Sequence, residues 1–175
     1  KRQEMGQGLF QKVAQVAAHI FGIPIKKVQI TATDTAKVPN TSATAASSGS
    51  DLNGMAVKEA CDIICARISS YFIEKYRPNT NDVKFEDGRV RGSNFDISFE
   101  DAVYEIYTQR ISLSSTGFYK TPDLQWDRIK GKGRPFYYFA YGAAVSEVVV
   151  DTLTGEFKLL RSDILHDAGN SLNSA

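Results

Sequence analysis

The sequence predicts an α+β domain, and three observations carry that expectation. Apolar residues recur at helical spacing in three separate stretches, near residues 9–22, 51–71 and 98–110. Asp87-Gly88 stands between two short strand-like runs, a strong hairpin signal. Residues 136–150, FYYFAYGAAVSEVVV, and residues 157–165 are rich in aromatic and β-branched side chains, and DTLTG joins them. Helices and strands are therefore partly segregated along the chain. The expectation is helices packed on a mixed or antiparallel sheet, with a long C-terminal β-hairpin.

The first helix follows a Gly6-Gln7-Gly8 turn and carries Leu9, Val13, Val16, Ala17 and Ile20 on one face. Gly22 and Pro24 end it. Residues 27–31, KVQIT, alternate as a half-buried strand. The second helix runs from about Asp51 to Tyr71, with Ala56, Ala60, Ile63, Ile64, Arg67 and Ile68 on its inner side. A loop, RPNTND, leads to the hairpin at 84–91. Ser98 then caps a third helix whose first turn holds Glu100 and Asp101, read as charges that complement the helix dipole. Residues 111–121 alternate weakly and should form a strand, and residues 126–133 a polar loop.

The chain has 175 residues, enough for one domain that buries roughly 70% of its unfolded surface. Its hydrophobic content of 42% and charged content of 23% are ordinary for a soluble protein. A net charge of +1 without charge blocks argues against nucleic acid or an anionic membrane as the main partner. No apolar run approaches a membrane span of about 20 residues. Cys61 and Cys65 share a helix face, but His19 and His166 are the only histidines, so buried thiols in a reducing cytosol are favoured over a metal centre. Asp163, His166 and Asp167 cluster by sequence, and no activated nucleophile completes a hydrolytic triad.

Residues 40–57, NTSATAASSGSDLNGMAV, stand apart. Between 40 and 54 only Leu52 is large and apolar, so the stretch cannot fill a core. One reading is a Ser-rich linker, or a helix start packed closely through small residues. The other is an anion-receiving loop, because the following helix presents N–H groups and the positive end of its dipole. The Gly6-Gln7-Gly8 turn admits the same pair of readings, a plain tight turn or a ligand-facing one.

Several stretches resemble the molybdenum-binding domain of the xanthine dehydrogenase and aldehyde oxidase family. They are EMGQG at 4–8, VPNTSATAAS at 38–47, DLNG at 51–54, SLSSTGFYKTP at 112–122, RPFYYFAYGAAVSEV at 134–148 and DILHDAGNSLN at 163–173. They cover nearly the whole chain in order, and GRPFYYFAYGAA leans toward the bacterial type of xanthine dehydrogenase large subunit. The chain departs from the family pattern at Arg2, Val145 and Ser174, where Gly, Cys and Pro are usual.

The resemblance implies that residues 1–175 are part of a molybdopterin-binding domain within a larger enzyme, inactive alone. It implies that Gly6, Gln7, Gly8, Thr44, Ala45, Ala46, Ser47, Ser48 and Ser50 face the cofactor. Gln7 would hydrogen-bond near the molybdenum ligands, Ala45 and Ala46 would line the metal pocket, and the serines would supply donors to the pterin and its phosphate. No direct metal ligand is expected, and the catalytic glutamate is expected beyond residue 175. The implied reaction is oxidative hydroxylation of purines such as hypoxanthine and xanthine, with electrons passing through [2Fe-2S] clusters and FAD to NAD. The implied partners are the rest of the molybdenum subunit, the iron–sulfur and FAD units and a second protomer, in the cytoplasm. An aldehyde oxidase or other molybdenum hydroxylase, or a non-catalytic anion-binding or scaffold module, is the alternative.

Overall fold

The computed structural model describes residues 6–31, 48–80 and 82–172. The chain divides into two compact units, one ending at Lys120 and the other beginning at Thr121. In the first unit, α1 spans Leu9–Ile20, α2 Gly49–Tyr76 and α3 Phe99–Thr108, with β1 at Lys84–Glu86, β2 at Arg89–Gly92 and β3 at Phe95–Ser98. The three strands form an antiparallel sheet in sequence order.

The core of this unit lies between the C-terminal half of α2, α3 and the sheet. Ile68 and Phe72 from α2 meet Val90, Phe95, Ala102 and Ile106, all buried. The Phe95 ring lies 5.6 Å from that of Phe72 and stacks on Tyr76 at 4.9 Å. The expected inner face of α2 is thus corrected in part: Ile68 is buried, but Ile63 is exposed, and Cys61 and Phe72 take inward positions. The helix also outruns its predicted end, stopping where Arg77 turns left-handed before Pro78.

Asp87 and Gly88 both have positive φ, which is the geometry a two-residue type I′ hairpin needs. Gly22 does two jobs. Its φ of +60° lets α1 close with a bond from the Ile23 N–H to the Ala18 carbonyl. A Cβ there would also lie 2.4 Å from the Phe85 carbonyl oxygen, and the Gly22 carbonyl accepts the Gly88 N–H at 2.6 Å. The end of α1 is therefore pinned to the hairpin. Ser98 caps α3 as expected, accepting the Asp101 N–H at 3.1 Å and donating to its carboxylate at 2.6 Å. Glu100 pairs with Lys27.

Two predicted strands are absent. Lys27 ends a 3-10 turn at Ile25–Lys27, and residues 28–31 pair with no strand among the described residues; Lys27 is held by Glu100 instead. Residues 111–121 form no strand with any of the described residues. Their alternation is real nonetheless: odd residues from 111 to 119 are half-buried and even ones exposed. The surface they lie against is a helix, described below.

The second unit holds two antiparallel hairpins. The predicted polar loop at 126–133 is itself a hairpin, β4 at Gln125–Asp127 with β5 at Lys132–Arg134. The long C-terminal hairpin is present as β6, Gly142–Val150, with β7, Phe157–His166, bulged beside Glu147 and Val148. Asp151 closes its turn, accepting the Leu153 and Thr154 N–H groups. Residues 136–141 fall outside β6 because β7 ends opposite Gly142; beyond it the Tyr141 carbonyl accepts the Asp167 N–H, and the Tyr137 carbonyl accepts an Arg134 N–H at 3.4 Å.

Candidate cofactor site

The two stretches singled out by composition lead into the starts of α1 and α2. Gly6 and Gly8 have φ of +97° and +72°, and Gly8 is the N-cap of α1, its carbonyl accepting the Lys12 N–H. A Cβ on either glycine would meet nothing within 4 Å among the described residues. Ser48 is the N-cap of α2 and Ser50 lies in its first turn.

These two helix starts are neighbours. A Cβ on Gly49 would lie 3.3 Å from a Leu9 methyl, and one on Gly54 would lie 3.6 Å from a Val16 methyl. Contacts advance along both helices together, so α1 and α2 run side by side in the same sense. Two dipole ends, each worth about half a positive charge, therefore sit together. The first turn of α1 carries no acidic residue. That of α2 carries Asp51, whose carboxylate accepts the Leu52 N–H at 2.8 Å.

The structure thus brings Gly6, Gln7 and Gly8 to the start of α1, which packs against the start of α2 where Ser48 and Ser50 lie. Thr44, Ala45, Ala46 and Ser47 lie outside the described residues. The arrangement suits an anionic, multi-donor ligand: backbone N–H groups, hydroxyls and room for close approach, with no direct metal ligand required. Among the described residues no group of three or more His, Cys, Asp or Glu could hold a metal ion.

Composition alone did not reveal the support behind this site. The extended segment after α3 starts where Arg110 adopts a φ of +60°, a conformation sequence reasoning assigns to Gly or Asn. It then runs antiparallel to α2. Arg67 donates to the Ser112 and Ser114 carbonyls at 3.1 and 2.8 Å, and Glu59 accepts the Phe118 N–H at 2.9 Å. Gly117 lies against the α2 backbone, where a Cβ would meet the Ala56 carbonyl oxygen at 1.8 Å.

The other candidates are structural. Burial, reinforced by Cys61 and Asp62, pushes the Cys65 thiol up to about 12. Asp163 is paired with Arg161 on an exposed strand, and His166 ends that strand opposite Gly142.

Residues 1–175 match the family profile described as the molybdopterin cofactor-binding domain. Over 172 residues, 98% of the chain, it is 46% identical to the xanthine dehydrogenase/oxidase of Mus musculus and 48% identical to the xanthine dehydrogenase of Oryza sativa subsp. japonica. It is 47% identical to xanthine dehydrogenase 1 of Arabidopsis thaliana over the same span. The chain covers only 11–12% of the length of these relatives. On these grounds it belongs to the molybdopterin cofactor-binding domain family.

Proposed function

We propose that this chain is the part of a xanthine dehydrogenase-type molybdenum hydroxylase that holds the pterin end of the cofactor. The reading rests on one observation above others: both motifs implicated by the resemblance lead into helix starts that lie side by side. The N–H groups there, with Ser47, Ser48 and Ser50, would bind the pterin and its phosphate. Gln7 would orient the metal end through its side-chain amide, and Thr44 would border the same loop. Ala45 and Ala46 would leave room for a flat heteroaromatic substrate. When bound, the cofactor supplies the two-electron oxidation that turns a ring C–H into C–OH; the chain's own residues bind, orient and exclude water.

The relatives quoted above are all named xanthine dehydrogenases, which favours a purine substrate over an aldehyde. The full-length protein is proposed to add [2Fe-2S] clusters and FAD, to reduce NAD, and to act as a cytoplasmic dimer. Among the described residues no helix is long and apolar enough to cross a membrane. Ala46→Phe in the full-length protein should abolish xanthine-dependent NAD reduction while molybdenum content is retained. Parental turnover in that variant would sink the pocket assignment.

A further inference from the structure

The N-terminal half of α2 carries the proposed site but lies outside the aromatic core. Only its C-terminal half contributes to that core, through Ile68 and Phe72. The forward half has α1 on one side, packed at Gly49 and Gly54. It also carries the 112–118 segment, which presses Gly117 onto the backbone at Ala56 and Ala60. The fit is metrical. From Ser114 to Phe118 an extended chain covers about 13 Å, and from Arg67 to Glu59 a helix rises about 12 Å. Arg67 and Glu59 therefore grip the segment at matching intervals, one through carbonyl oxygens and the other through an N–H.

We infer that the 112–118 segment is a splint, clamped by Glu59 and Arg67, that fixes the cofactor-facing half of α2, and that Glu59 is a positioning residue for cofactor retention. The retention half rests on the function proposed above. Glu59 and Phe118 are exposed, so the bond between them adds nothing to the aromatic core. Gly117 is the position where segment and helix approach too closely for any side chain. The serine-bearing helix start is two turns ahead of that contact.

The test is regional amide hydrogen exchange on the full-length protein, paired with the rate at which pterin is lost on dialysis. Glu59→Ala removes the acceptor, Gly117→Ala forces the segment away, and Glu59→Gln keeps an acceptor oxygen in place. Losing one hydrogen bond of ordinary strength should speed exchange about tenfold over residues 50–60 in Glu59→Ala. Residues 68–72 should exchange at the parental rate. Pterin loss should accelerate by a similar factor in Glu59→Ala and Gly117→Ala, and Glu59→Gln should restore the parental values. Unchanged exchange over 50–60 in both disruptive variants overturns the splint. Faster exchange with unchanged pterin loss overturns its link to the cofactor. A parent protein that carries no pterin defeats the functional reading and the retention half with it, while the exchange pattern still decides the clamp.

Discussion

Replacing Gly49 by Phe should separate the two helix starts and weaken cofactor binding. Gly49 faces Leu9, which is only 3% exposed, at a distance that leaves space for a Cβ if the Leu9 methyl yields by a few tenths of an ångström. Ala at this position should therefore be nearly neutral; its small crowding cost is offset by up to about 1 kcal/mol from replacing a helical glycine. A phenyl ring has no such room. Overpacking of this kind costs about 1–3 kcal/mol, and α1 and α2 relieve it by moving apart. Donors on one helix start then leave the ligand held by the other. Each hydrogen bond to a charged group is worth about 1.5–3 kcal/mol, so losing one weakens binding by roughly 10- to 150-fold. Molybdenum and pterin content after dialysis, in the parent, Gly49→Ala and Gly49→Phe full-length proteins, reads this directly. Parental retention by Gly49→Phe would refute the claim that the paired helix starts form the binding site.

Four further outcomes are expected. Phe72→Ala should cost about 3–5 kcal/mol in unfolding experiments, because the ring is fully buried among Val90, Phe95 and Ile106. The hydrogen bond from Arg89, with the charges of Arg89 and Arg91, holds the Asp96 carboxyl below its ordinary 3.8. A depressed carboxyl contributes stability above its unfolded pKa and loses it as pH falls through the folded value, so Asp96→Asn should flatten the stability profile below about pH 4. The Cys65 thiol, at about 12, should resist thiol reagents at pH 8 in the native protein and react once urea exposes it. The isolated 175-residue chain should self-associate and bind hydrophobic dye, because Phe157, Ile164 and Leu165 of the C-terminal hairpin are at least 74% exposed. A clean monomer without dye binding would contradict that.

Local chemistry made much of the fold legible. Asp87-Gly88 permits a tight hairpin, Ser98 supplies a hydroxyl where α3 needs an acceptor, and the valine run at 148–150 finds its partner strand. What escaped was the identity of neighbours. Residues 111–120 carry a period of two, which reports an extended chain against some surface but not which surface; here it is α2. Residues 27–31 alternate in the same way and meet no strand edge among the described residues. Arg110 takes a left-handed conformation that its residue type does not advertise. For the candidate site, composition identified each helix start separately. Their adjacency depends on Gly49 and Gly54 packing against Leu9 and Val16, a contact that neither motif contains.

The most direct test is to measure molybdenum by elemental mass spectrometry, and pterin by oxidation to a fluorescent product, on the purified full-length protein from a host that makes the cofactor. Near-stoichiometric amounts of both are the expected result. Absence of both would contradict it and leave a diverged binding or scaffold protein in its place.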